Sequence, residues 1–385
     1  MTNVKIVIGA SYGDEGKGLM TDYFCNKARE RGENCLVVLS NGGAQRGHTV
    51  DTPDGKYHVF HHFGSGTFVG ADTYFPEKFI VNPMMFIQEW VELYDKAKEM
   101  SNIWINENCL CTTPFDMIIN QIVEEYRGEN KHGSCGCGIW ETIERNGLRF
   151  GQMCDLLQRG RISSYLENVR DIYLRIRVKD LEINRIPDKW KEILNNKSLI
   201  DSYISDLSNM MKLVHFTDDT VLKGYKNIVF ENGQGLLLDF DEHPVYSTPS
   251  KTGIHNPKEI IERVYGVNIP DVEVCYVSRS YLTRHGAGPF KEECDKSEIS
   301  ANLKDETNVF NIHQGELRYG RLNLGELRNR VISDFKTLGY GRMSIAFTHM
   351  NYAPEDWKTT KYDHIFCDDS YECYFSNGKT RISVI

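Results

Sequence analysis

No window of this chain approaches 18 uninterrupted apolar residues, which excludes a membrane-spanning helix at the level of sequence. Proline is scarce, with 11 residues in 385, and neither an internal repeat nor a low-complexity stretch occurs, so fibrous and disordered classes fall away. Basic charge is in deficit. Lys plus Arg number 45 against 54 Asp plus Glu, and the net charge of -9 repels a polyanion, so no nucleic-acid partner is expected. The start, MTNVKIVIGAS, has no basic n-region, apolar h-region or small-residue cleavage site, so a cytoplasmic location and no membrane partner are expected. Eleven cysteines are an odd count without a C-x-x-C pair, and reduced thiols are expected. Each of the C-x-C pairs Cys109/Cys111 and Cys135/Cys137 supplies two thiols, whereas a structural zinc needs four ligands at recognisable spacing.

What is present is a chain long and apolar enough, at 40% hydrophobic residues, for a large enzyme. Val4 to Gly9 is a β-branched run ending in Gly, followed by SYGDEGKG and a helical pattern from Leu19 to Arg31. Further buried-strand runs occur at Cys35–Leu39, Asn227–Phe230, Val272–Val277 and Ser344–Phe347. Strands separated by helical segments predict an α/β fold, with a mainly parallel central sheet flanked by helices. Helices are expected over Pro83–Met100 and over Lys258–Tyr265, the latter capped by Asn256-Pro257. Residues from about 156 to 221 read as a helical subdomain, broken at Pro187, within a single domain spanning 1–385, because no linker divides the chain.

Two glycine loops carry the chemistry. Gly13-Asp14-Glu15-Gly16-Lys17-Gly18 leaves a strand and enters a helix, where backbone N–H groups and the helix N-terminus favour phosphate and Lys17 adds a point charge. It is not a Walker A loop, since Ser11 stands at its first glycine and Gly18 at its magnesium-binding Ser or Thr. Gly42-Gly43-Ala44-Gln45-Arg46-Gly47-His48-Thr49 follows the next strand and brings a histidine to the same expected sheet edge.

GDEGKG, GGAQRGHTV, ENGQGLLLD at Glu231–Asp239 and TRHGAGPF at Thr283–Phe290 together resemble adenylosuccinate synthetase, in order and spacing, through to Ser376-Asn377-Gly378. The resemblance implies a P-loop-related fold and a ligase that joins L-aspartate to C6 of a purine nucleoside monophosphate through a 6-phosphoryl intermediate. Asp14 is similar to the family's base, which removes the N1 proton so that O6 attacks the γ-phosphate. His48 is placed like its acid, Lys17 like the charge stabiliser, and Gln234 like the amide that reads the purine edge. Magnesium is the implied cofactor, with Asp14 and the Gly47 carbonyl as its protein ligands.

Nucleotide and phosphate contacts are implied for Gly13, Glu15, Gly16, Gly18, Gly47 and Thr49 in the glycine loops. Ser134, Cys135, Ser247 and Thr248 fall where the family holds the monophosphate, and His349, Asn351 and Gly378 where it holds the donor. Arg145 resembles an arginine that reaches the neighbouring subunit's monophosphate, implying a homodimer with shared sites. Gln314, Gly315, Arg318 and Arg321 are the implied aspartate holders.

The chain also departs from the family pattern. Thr348-His349-Met350-Asn351 stands where the family has T-K-L-D, whose Asp accepts from guanine. An Asn amide offers one acceptor and one donor, which suits adenine, so ATP or dATP is the expected donor. Gln45-Arg46 replaces Asn-Ala, and Cys135-Gly136-Cys137-Gly138 replaces T-G-R-G. These changes resemble the phage branch of the family, which adds aspartate to dGMP to make N6-succino-2-amino-2'-deoxyadenylate for diaminopurine DNA, in host cytoplasm. That branch often lacks the catalytic Asp, whereas Asp14 is retained here. dGMP is the expected acceptor, with IMP in AMP biosynthesis as the alternative. An inactive nucleotide-binding regulator is a reading of another class, disfavoured by the presence of both Asp14 and His48.

Overall fold

The computed structural model describes every residue except 1, 98–99, 148–160, 243–245, 305–314, 355–356 and 358–370. Its centre is a nine-stranded sheet in which every neighbouring pair is parallel. Across the sheet the strands run Glu372–Phe375, Arg342–Thr348, Asp271–Arg279, Asn3–Gly9, Asn227–Gly235, Cys35–Val38, Asp72–Phe75, Ile103–Asn106 and His215–Thr217. The mainly parallel α/β architecture expected from the sequence is therefore present, and its central strands are those read as apolar runs. The four outer strands, Asp72–Phe75, Ile103–Asn106, His215–Thr217 and Glu372–Phe375, extend beyond that reading.

Helices cover both faces, as an all-parallel sheet requires. Successive strand residues point to opposite faces, so Val7 packs with Leu19, Phe24 and Ala28 of the first helix, Lys17–Glu30. Ile6 and Ile8 pack on the other side with Ile260, Ile261 and Leu327. Burying each such side chain contributes roughly 1.5–3 kcal/mol, which makes these two layers the main source of stability.

Two helix expectations are corrected. The helix over Pro83 ends at Tyr94 rather than Met100, although its start is as expected: Asn82 caps it by accepting from the Met85 N–H at 3.3 Å. The other helix runs His255–Tyr265, so Asn256 lies inside it. The Asn256 amide is drawn away from a capping role because it donates to the buried Ser40 carbonyl at 2.9 Å. Pro257 remains in the first turn, where a missing N–H costs nothing. The segment around Pro187 is helical on both sides, with helices Leu174–Asp180, Asp188–Leu194 and Ser198–Met211; residues 156–160 of the expected subdomain lie outside the described residues. No helix among the described residues is long and apolar enough to cross a membrane.

Candidate functional site

Because the strands are parallel, the loops after Gly9, Val38, Gly235, Arg279 and Thr348 all emerge at one edge, which is where such sheets bind ligands. The loops touch there, and glycine makes this contact feasible. Gly13 sits at φ 104°, and a Cβ on it would lie 2.9 Å from the Gln234 Cα. A Cβ on Gly18 would lie 2.7 Å from the Thr49 carbonyl oxygen, so the first helix starts against the strand His48–Asp51.

Within the first loop the acids divide. Glu15 was expected on the phosphate, but it is 3% exposed and turned inward: its Oε1 accepts from the Ser11 N–H at 3.0 Å and the Gly13 N–H at 2.7 Å. Lys17 follows it, 1% exposed, donating to the Gly13 carbonyl at 2.5 Å and lying 3.3 Å from Glu15. A buried ammonium needs a counter-charge, and Glu15 supplies it while bracing the turn. Asp14 is the outward acid, its side chain 30% exposed, with Arg279 Nη2 at 2.6 Å from Oδ2 and Arg279 Nε donating to its carbonyl.

The second loop places His48 in a buried network with Arg46, Glu231 and Ser65. Glu231 Oε1 lies 2.6 Å from His48 Nδ1, and Oε2 lies 2.9 Å from Arg46 Nη2. Ser65 adds its hydroxyl to Oε1 and its N–H to Oε2 at 3.1 Å. Burial opposes the carboxylate charge, yet Arg46, His48 and Ser65 outweigh it and hold Glu231 at about 2. Burial first, and then the Arg46 charge, push His48 down to about 3. The imidazole is therefore neutral at physiological pH, and its Nδ1 has a partner in either tautomer: the Glu231 acceptor or Arg46 Nη2 at 2.8 Å. The tautomer that accepts from Arg46 leaves an N–H at Nε2 for a substrate oxygen.

Gln234 is held at φ 57°, a strain on the order of 1 kcal/mol, beside a register break between Val7 and Gly9. Its Oε1, together with Oε1 and Nε2 of Gln45, is buried without a hydrogen-bond partner. Both amides face the space at Gly42, where a Cβ would lie 3.1 Å from Gln45 Nε2 and 3.2 Å from Gln234 Oε1. Leaving such groups unpaired costs roughly 1–3 kcal/mol each, which the polar edge of a ligand would recover. Gln45 was not among the residues expected from the sequence, although it lies in the histidine loop.

The remaining expected residues fare unevenly. The loop after Lys131 meets the TRHGAGPF loop, with a Gly286 Cβ position 3.3 Å from the Gly133 carbonyl, and His132 meets Tyr246 at 5.8 Å, next to Ser247 and Thr248. At Ser134, the N–H and that of Gly133 donate to Glu124 at 3.2 and 2.8 Å, and the hydroxyl accepts from Asn120 at 2.9 Å, which leaves its own hydrogen to donate. Cys135 follows in the same loop and is half-buried. Arg145 was expected to reach the neighbouring subunit's monophosphate. It is fully buried, bound through Nε and Nη2 to Asp116 at 2.8 and 2.9 Å and to the Cys111 carbonyl at 2.6 Å.

At the donor side, His349 at φ 57° follows the strand Arg342–Thr348, and Asn351 is exposed in the turn Met350–Tyr352. Met350 bonds to the Ser376 carbonyl at 3.1 Å, bringing Gly378 to the same corner. The Tyr281 ring lies 5.9 Å from His349 and 6.3 Å from Tyr352, with the Arg279 guanidinium 5.4 Å from its centre. Neither Tyr281, Tyr352 nor Arg279 was expected, since these positions converge only through the sheet. Arg318 and Arg321 lie on or beside a short strand, Arg318–Gly320; Gly315 is described at φ 80°, and Gln314 lies outside the described residues.

For magnesium, the donors suit a hard cation: a partly exposed carboxylate at Asp14 and the carbonyl of exposed Gly47. No group of three His, Cys, Asp or Glu that would hold a metal occurs among the described residues. Few protein ligands is the usual pattern where substrate phosphates complete the sphere.

A sequence model of the family described as adenylosuccinate synthetase matches residues 6–334. The adenylosuccinate synthetase of Alkaliphilus metalliredigens is 30% identical over 325 residues, covering 81% of this chain and 70% of that protein. That of Prochlorococcus marinus strain MIT 9301 is 32% identical over 336 residues, covering 83% and 70%. Two solved structures share the fold. Fully ligated adenylosuccinate synthetase from Plasmodium falciparum has a TM-score of 0.73 at 16% identity, covering 100% of this chain and 99% of that one. The succinoaminodeoxyadenylate synthetase of cyanophage S-2L, bound to dGMP and dATP as an energy donor, has 0.65 at 15%, covering 100% and 95%.

Proposed function

Since the chain belongs to the adenylosuccinate synthetase family of C–N bond-forming ligases, which join aspartate to a purine nucleotide, we propose that Asp14 and His48 carry its acid–base chemistry. Asp14 removes the N1 proton, and O6 then attacks the γ-phosphate of the donor. His48, in the tautomer whose Nδ1 accepts from Arg46, donates through Nε2 to O6 and to the leaving phosphate that the aspartate amine displaces. Gln234 and Gln45 hold the purine edge; the unpartnered buried Oε1 of Gln234 and amide of Gln45, facing one space at Gly42, are the observation that carries this reading. Asp14 and the Gly47 carbonyl would hold magnesium, which when bound supplies charge neutralisation between the donor phosphates.

The names of the curated relatives favour IMP as acceptor, because adenylosuccinate is its aspartate adduct. dGMP, the first expectation from the sequence, stands as the second reading. It is supported by the rebuilt acceptor loop around the buried Arg46 and by likeness in fold to a phage enzyme bound to dGMP. Incubation with aspartate, magnesium-ATP and either acceptor, with products resolved by mass, is expected to yield an aspartate adduct and phosphate. An adduct from dGMP alone would reverse the order of the two readings, and no adduct from either would remove both.

ATP or dATP as donor rests on Asn351, exposed beside the Tyr281 and Tyr352 rings. Asn351→Asp is expected to move the ATP/GTP preference about tenfold toward GTP, because a carboxylate accepts both guanine donors and repels the adenine acceptor. Competition kinetics with the two nucleotides measure the shift. An unchanged ratio would assign the donor base to another residue.

A further inference from the structure

In the short antiparallel sheet beside the phosphate loop, Arg284 of strand Leu282–Arg284 stands directly opposite Arg318 of strand Arg318–Gly320. Like charges in that position repel, so the pair calls for an anion. Arg284 is 3% exposed and its donors are spent on the carbonyls of Ala287, Pro289 and Tyr246, which carry no countercharge. Arg318 gives Nη1 to the carbonyls of Gly286 and Gly288, at 3.3 and 2.9 Å. Its remaining edge, Nε and Nη2, forms a two-pronged contact with one carboxylate, Glu293, at 2.7 and 2.5 Å. This fork is the arrangement by which an arginine grips any free carboxylate. It is also close to the reaction site. The Arg318 guanidinium lies 5.3 Å from the Phe290 ring centre, and Phe290 packs edge-on to Tyr12 at 5.2 Å, next to Gly13 and Asp14.

We propose that Glu293 is a resident stand-in for a substrate carboxylate, occupying the Arg318 fork until aspartate displaces it. The inference rests on the reading of Arg318 as an aspartate holder. The Glu293 side chain is 44% exposed and that of Arg318 26%, so the pair is wet and exchanges readily with a carboxylate of comparable geometry. Displaced, Glu293 swings into water, and the charge of the two arginines is again balanced once. The resident acid thus weakens aspartate binding while sparing the enzyme an uncompensated arginine pair when the site is empty.

The two partners of this ion pair make opposite predictions. Glu293→Gln keeps the size and removes the charge, and is expected to lower the KM for aspartate about fivefold with the nucleotide KM unaltered. Arg318→Lys keeps the charge and loses the fork, and is expected to raise the aspartate KM at least tenfold. Titration of both variants with succinate, a dicarboxylate that cannot react, should show the same opposite signs. If the pair is only structural, removing either partner loosens the same strands and both substitutions weaken binding; that outcome, or no change in either, overturns the proposal. Succinate binding separates this from failure of the ligase reading, which the product assay tests by itself.

Discussion

Replacing Asp14 with Asn is expected to lower turnover by about 10²–10⁴-fold while nucleotide binding persists. The amide has the shape of the carboxylate, and its oxygen still accepts from Arg279 Nη2, now 2.6 Å from Oδ2, so the loop between Gly13 and Gly16 keeps its path. What disappears is a group that takes a proton from N1. Steady-state turnover at saturating magnesium separates this loss from weaker cation binding, and a fluorescence titration with nucleotide checks that the site is intact. A variant retaining more than about a tenth of the wild-type rate would remove Asp14 from the role of base, since a positioned acid or base contributes at least about a hundredfold. Asp14 is the better candidate over Glu15 for a geometric reason: Glu15 spends its oxygens on loop N–H groups and on Lys17, inside the turn.

The largest effect on stability is expected at Asp116. Its carboxylate is fully buried and accepts from Arg145 twice, from the Thr113 N–H at 2.7 Å and from the Thr113 hydroxyl at 2.9 Å. It therefore closes the capping box of the helix Pro114–Arg127 as well as neutralising Arg145. Asp116→Ala leaves a guanidinium buried without its charge partner, and is expected to cost about 3–5 kcal/mol by urea denaturation. The cost exceeds the value of the pair itself, because most of it is the penalty for stranding Arg145 in a dry interior. A loss below about 1 kcal/mol would show that Arg145 leaves this pocket freely, as an outward reach toward a second subunit requires.

Arg145 also illustrates why some residues were legible in the sequence and others were not. Its motif, ERNGLR, implied by resemblance an arginine that reaches a neighbouring subunit, but nothing local shows that Asp116, 29 residues earlier, waits beneath it. The glycine loops were legible because their information is local: a β-branched run, a glycine that must take φ near 100°, and a helix beginning at once. Asp14 and His48 stand out within those loops for the same reason. Their partners do not. Glu231 meets His48 from 183 residues away and Arg279 meets Asp14 from 265 away, and no spacing rule connects either pair. Inward-turned Glu15 is a further case, since a carboxylate in a phosphate loop gives no sign of which side of the turn it will take.

The amino-acid order by itself determined the elements that local sterics and hydrophobic period control: the central strands, the first helix, and the glycine loops that put an acid, a lysine and a histidine at strand ends. Tertiary structure alone decided which of those groups are charged, aimed and free to meet a ligand. Strand order in the parallel sheet brought Glu231 to Arg46 and His48, and Arg279 to Asp14, while pairing in the small antiparallel sheet brought Glu293 to Arg318. The physical reason is that the charge state of a buried group and the direction of its hydrogen bonds are set by neighbours a few ångströms away, and in a parallel sheet those neighbours come from distant parts of the chain.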